Sequence, residues 1–313
     1  MMTRRMIVVV AAALAASAAG VGGASAEESR PTVPLLYVNH AYGVVDRETA
    51  DAIEDSDYLR DFANFEVRTT TGADKTWTGR YLYGRETYIE LFGAGDLPGQ
   101  DAAFGSTGMG ISTEQDGDLT TVVDRLADEG VSEPIQFLQT RDFGDGIPVP
   151  WFDAILTTVE YDSFGAWAME WRPEYFADPR GKTEPPSHPG DVGRERYLSD
   201  AYRDHLMRDV TAIHLAVTQR DLDSTVPLLR AGGFQVRSAP GGGIIARSGG
   251  TTLRFDVVPV SQVGLRQVDL SLNRAVAYCH KEQIGRSTLV VGPGDRAVWT
   301  FPASPDGLRP RDR

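Results

Sequence analysis

The chain has 313 residues, with 44 acidic side chains against 31 basic ones and a formal net charge of −13. That balance argues against nucleic acid and anionic membrane surfaces as partners. A single cysteine, Cys279, excludes an intrachain disulfide, so stability has to come from a packed core, which a chain of this length can supply.

The first 26 residues, "MMTRRMIVVVAAALAASAAGVGGASA", have the three parts of a secretory signal: Arg4 and Arg5, an apolar run from Ile7 to Ala19, and the small-residue cleavage site Ala24-Ser25-Ala26. Gly and Ser interrupt the apolar run before it could span a bilayer. The expectation is an extracytoplasmic protein, free of the membrane after cleavage, that begins near Glu27.

From Leu35 onward one order of elements recurs. Leu35 to Val45 reads as a strand, Asp46 caps a helix running to about Phe62, and "FEVRTTTG", "TWTGRYLYG" and "TYIELFG" are three short strands separated by turns. A second unit opens with the strand in "GSTGMGISTE" (105–114). Its helix places Leu119, Val122, Val123 and Leu126 on one face and stops at Gly130. Strands at "IQFLQTRDF", "VPWFDAILTTV" and "FGAWAMEWR" complete it. The proline-bearing stretch 176–208 reads as a linker followed by a short amphipathic helix from about Glu195 to Met207. A third unit, from residue 209, has "DVTAIHLAV" as its strand. Its helix is capped by Ser224, takes Pro227 in its first turn and ends at Gly232-Gly233, and "FQVRS", "GIIAR" and "TTLRFDVVPV" follow. The rest, to residue 303, gives strands without a helix, a degenerate fourth unit, and 304–313 is a tail. "PGGGI" (240–244) precedes a strand and reads as a hairpin turn, not a phosphate loop. The expected fold class is α+β: tandem βαβββ modules, paired over 27–175, forming curved mixed sheets around a pocket. Cys279, in "AVAYCHKEQ", is expected to be buried or inert.

The repeated βαβββ order and the opening strand "NHAYGVVD" (39–46), together with "TYIELF" (87–92) and "IHLAVTQRDLDSTVPLLRAGGFQV" (213–236), resemble the vicinal oxygen chelate superfamily of glyoxalase I, bleomycin-resistance proteins, extradiol dioxygenases and methylmalonyl-CoA epimerase. The resemblance covers roughly residues 35–172 and 209–260. It implies two units closing a sheet around a pocket, with a divalent metal held by opening and fourth strands where they supply ligands. Carried over residue by residue, the metal positions fall on His40 and Glu90 in the first unit and on Gly108 and Glu170 in the second, so one ligand is absent. One imidazole and two carboxylates would suit Zn, Mn, Fe, Ni or Mg, and Glu90 or Glu170 would double as the base moving a proton next to a carbonyl. His214 takes the corresponding place in the third unit, with its fourth-strand partner at Arg254 or Asp256.

Each of these residues also has a plainer reading. His40 lies among apolar alternating neighbours and suits a buried, hydrogen-bonded histidine, and the two glutamates suit solvent-facing strand positions. Tyr42, Tyr88, Trp151 and Trp167 are core aromatics or the walls of a substrate pocket. Two functions follow: a metal-dependent lyase, isomerase or oxygenase of the glyoxalase or dioxygenase kind, or a metal-free, drug-sequestering binding protein in which Gly108 leaves room for the ligand. The partner in both is a small molecule, and the protein is a monomer or a homodimer.

Overall fold

Strand β1 (Tyr37–Val45) shows how the first unit is put together. Asp46 follows it in extended conformation and accepts the Thr49 N–H, starting α1 (Arg47–Glu54), and Ser56 starts a second short helix, α2 (Asp57–Phe62), in the same way. The single helix expected to Phe62 is thus broken at Asp55-Ser56, because a serine competes for the backbone there. Strands β2 (Asn64–Gly72), β3 (Thr76–Tyr83) and β4 (Tyr88–Gly93) complete the unit. The second comprises β5 (Thr107–Ser112), α3 (Asp118–Asp128), β6 (Ile135–Asp142), β7 (Val149–Leu156) and β8 (Phe164–Trp171). Leu119, Val122 and Leu126 are buried as the helix period predicts.

The computed structural model describes residues 33–73 and 75–303; the signal-like segment and the tail lie outside the described residues. The first two units close into one barrel in the order β1-β4-β3-β2-β6-β7-β8-β5. β1 and β5 run antiparallel at one seam, while β2 and β6 meet at the other through two residue pairs only, Thr71 with Asp142 and Gly72 with Arg141.

The stretch expected to be a linker instead folds against the barrel. It contains two short helices, α4 (Pro173–Ala177) and α5 (Arg194–Tyr197), and a 3-10 turn at Asp200–Asp204, in place of one helix from Glu195 to Met207. The next strand, β9 (Met207–Val217), already begins at Met207. Helix α6 (Gln219–Ala231) starts one turn and a half before Ser224: Thr218 is its cap, and Pro227 lies inside it. Tertiary packing decides this, because the early start buries Leu222 and places Asp221 where its carboxylate accepts the backbone N–H groups of Asp162, Ser163 and Phe164.

Strands β10 (Gln235–Ser238), β11 (Ile244–Ser248), β12 (Thr251–Val257), β13 (Gly264–Val276), β14 (His280–Ile284), β15 (Ser287–Val291) and β16 (Gly294–Thr300) join β9 in an open sheet ordered β10-β11-β12-β9-β13-β16-β15-β14. Gly241, Gly242 and Gly243 turn the β10–β11 hairpin with positive φ, as the sequence suggests. Between β13 and β16 no helix intervenes, so the fourth unit is degenerate in the sense expected. One face of the open sheet, with Ile213, Leu215, Leu253, Val268 and Trp299, shares a hydrophobic core with α6, α3 and the outer face of β1. No described helix is long and apolar enough to cross a membrane. Cys279 is exposed, contrary to a buried placement, because it falls in the turn between β13 and β14.

Candidate functional site

Strand alternation sends His40, Tyr42 and Val44 of β1 into the barrel while Ala41 and Val45 join the outer core. Register then builds two rows across the interior. In one, Tyr88 of β4 neighbours His40, His40 neighbours Gly110 of β5, and Gly110 neighbours Trp167 of β8. In the other, Glu90 lies between Tyr81 and Tyr42, and Tyr42 neighbours Gly108. Both glycines are needed because rings lie over them: a Cβ on Gly110 would sit 2.5 Å from His40 Cε1, and one on Gly108 2.2 Å from Tyr42 Cε1. The space at Gly108 is therefore filled by Tyr42, where the sequence reading left it to a ligand.

The His40 ring stacks on Tyr88 at 4.6 Å and meets the edge of Trp167 at 5.3 Å. Its Nδ1 is 2.8 Å from Asn39 Oδ1, and Asn39 Nδ2 donates to Ser112 Oγ. That arrangement makes Oδ1 the acceptor and puts the histidine proton on Nδ1. Burial pushes the imidazole down to about 3, so His40 is neutral. Glu90 is pushed up to about 7 by burial, against the opposing pull of the Arg68 guanidinium and the Tyr88 hydroxyl. Arg68, on β2, lies 4.3 Å over the Tyr81 ring and donates to Tyr83 Oη at 2.7 Å.

His40 and Glu90 thus come together, as diagonal neighbours on β1 and β4. Glu170 does not join them. On β8 it is Met169 and Trp171 that pack with the interior aromatics, whereas the Glu170 carboxylate points the other way and accepts from Thr113 Oγ1 and from the backbone N–H groups of Gly117 and Leu119 at the start of α3. The expected register was one residue off, and the anionic group there serves a helix N-terminus. Among the described residues no three His, Cys, Asp or Glu side chains are arranged to hold a metal ion. The donor set inside the barrel does not fit a divalent metal: a histidine with Nδ1 spent on Asn39 and one carboxylate face glycines and indole rings, where further oxygen or nitrogen donors would be required. In the third unit His214 Nε2 meets Asp256 Oδ2 at 2.7 Å, and Arg254 holds the other carboxylate oxygen at 3.0 Å, so Asp256 is ion-paired with Arg254 and hydrogen-bonded to His214.

The two ends of the barrel differ. At one, Tyr197 of α5 stacks on Trp171 at 3.8 Å, and Tyr175 of α4 packs 6.0 Å from Trp151, so Tyr88 and Trp151 are sealed beneath them. Arg194 fastens this plug: it is 3% exposed and binds Glu114, Glu86 and the Val38 carbonyl. Tyr42 and Trp167 lie toward the other end with Val44, Phe92 and Leu97. There an open pocket of about 630 Å³ is lined by Lys75 and Thr76 of the β2–β3 hairpin, Pro98 to Asp101, and Tyr161. Tyr161 Oη donates to Asp101 at 3.0 Å, and the same carboxylate, with burial the larger cause, raises the Tyr42 phenol, so Asp101 stands between the pocket and the interior tyrosine next to Glu90. Sequence reasoning missed this pocket, since its residues come from three loops with no periodic pattern.

A family model described as "Family of unknown function (DUF5829)" matches residues 38–301. No curated protein matches the chain. Among solved structures, a hypothetical protein from Staphylococcus aureus is similar with a TM-score of 0.48 and 12% identity, over 82% of this chain and 99% of that one. BphC, a halotolerant catechol dioxygenase, gives 0.40 and 9%, over 84% and 88% of the two chains. The 2,2',3-trihydroxybiphenyl 1,2-dioxygenase of Sphingomonas wittichii gives 0.37 and 11%, over 89% and 93%. Similarity this low carries no conclusion about chemistry.

Proposed function

The chain belongs to a family of unknown function, DUF5829, and we propose that it binds a small organic molecule at the open end of its barrel without using a metal. The observation that carries this is the pocket between Lys75, Gln100, Asp101 and Tyr161, which falls in the size range of small-molecule sites and sets polar groups beside one aromatic ring. The filled interior beneath it acts as a rigid support. The signal-like first residues favour an extracytoplasmic location for this binding.

The fluorescent probe 8-anilino-1-naphthalenesulfonate tests the reading on the full chain. Saturable binding is expected, weakened about tenfold, or about 1.4 kcal/mol, by Lys75→Glu and by Tyr161→Ala, with binding and melting temperature unchanged by a chelator. Binding that ignores both substitutions, or that is lost on chelation, would overturn it.

A second reading rests on Glu90, whose carboxyl titrates near neutrality inside the barrel. Such a group is matched to proton transfer at ordinary pH. Under that reading Glu90→Gln abolishes turnover of a bound compound while leaving its affinity intact; equal loss of both would assign Glu90 to binding alone.

A further inference from the structure

The open sheet has a second face, opposite the core, and among the described residues it is uncovered: apart from Ala216 near one end of β9, the side chains on that side are half-buried or exposed. Register arranges them into a continuous row. Arg237 of β10 faces Ile245, Ile245 faces Arg254 of β12, and Arg254 neighbours His214 of β9. The row continues through Gln267 of β13 to Thr300, Thr288 and Gln283. Eight adjacent strands at the usual spacing make it about 34 Å wide. A parallel row one pair away carries Arg247, Asp269 and Lys281, and Arg296 lies beside it opposite Ser271.

Charge is distributed unlike the rest of the molecule. On a chain of net charge −13, this face bears Arg237, Arg247, Arg254, Lys281 and Arg296 against Asp256 and Asp269. Asp256 is already held by Arg254 and His214, whereas Arg237, Arg247, Lys281 and Arg296 are exposed and have no ion-pair partner among the described residues. Such a face attracts a polyanion. Its other groups say which kind. Neither row holds a Phe, Tyr or Trp on which bases could stack, and at the middle of the face Gln267 donates to Asp269 at 2.6 Å, a polar pair with donor and acceptor capacity left for hydroxyl groups. Amide, hydroxyl and imidazole groups spaced between guanidinium groups suit a polymer with many hydroxyls and a regular acidic substituent.

We propose that this face of the open sheet binds an acidic polysaccharide, a uronate polymer laid across the strands, with Arg237, Arg247 and Lys281 pairing its carboxylates and Gln267 and Asp269 its hydroxyls. Binding of polygalacturonate to the full chain tests it, with neutral dextran and poly(U) as comparisons. Polygalacturonate is expected to bind at low salt, at least about tenfold more tightly than either comparison. The double variant Arg237→Glu with Arg247→Glu weakens binding about tenfold or more and flattens its salt dependence, while Gln267→Ala weakens it about threefold with the salt dependence unchanged. All three positions lie on the open sheet, outside the barrel, so an unchanged melting temperature and unchanged probe binding at the barrel pocket show that the variants fold, and separate this proposal from the barrel reading. Absence of polygalacturonate binding, indifference to the arginine changes, or equal or tighter binding of poly(U) would each overturn it.

Discussion

Burial disfavours the charged form of both His40 and Glu90, and so moves the imidazole down and the carboxyl up. For Glu90 the folded value, about 7, lies above the ordinary 4.5. Its contribution to stability is therefore fully present below about 4.5, and is lost as pH rises through 7. A difference of this size is worth up to about 3 kcal/mol. Glu90→Gln cannot ionise, and relative to the wild type it should gain up to about 3 kcal/mol between pH 4 and pH 8 in urea unfolding; an equal difference at both pH values would mean that Glu90 titrates as in water. His40 acts in the opposite sense, with stability present above 6.5 and lost as pH falls toward 3. A histidine among apolar residues was legible in the sequence as a buried one, and that plain reading describes His40 well. What the sequence could not carry was the fit of rings over Gly108 and Gly110, because those contacts join strands far apart in the chain.

At the level of elements, most errors of sequence reading are errors of register and boundary. The strands of the first two units fall where alternation puts them, yet a slip of one residue on β8 moves Glu170 from the interior to the outer face. Its three accepted hydrogen bonds there tie β8 to α3. Glu170→Ala is therefore expected to cost about 1–2 kcal/mol of stability, as a lost helix cap does, and to leave probe binding at the barrel pocket unchanged; a loss of binding without loss of stability would return Glu170 to the site. Helix α6 shows the same limit. Ser224 and Pro227 mark a helix start locally, but Asp221 is wholly buried against the N–H groups leading into β8, and that tertiary anchor requires the helix to be capped at Thr218.

For the whole molecule, the segment after β8 changes the character of the barrel. A proline-bearing stretch without periodicity looks like a connector, and nothing local reveals that Tyr175 and Tyr197 seat on Trp151 and Trp171. Arg194 holds that plug through two carboxylates and a backbone carbonyl while almost fully buried. Removing it leaves Glu114 without an ion-pair partner and Glu86 with Arg85 alone at 3.6 Å, so Arg194→Ala should destabilise by about 3–5 kcal/mol in urea unfolding. Arg172→Ala, at a half-exposed pair with Asp153 and Glu174, should cost under about 1 kcal/mol; similar losses in both would deny the plug its anchoring role. By itself the sequence determined the α+β class, the repeated module and the strands, because periodicity and turn residues act over a few neighbours. Only the tertiary structure decided which carboxylate faces inward, which end of the barrel is closed, where the open pocket lies and that an acidic chain carries one basic face, because each depends on residues brought together from distant strands.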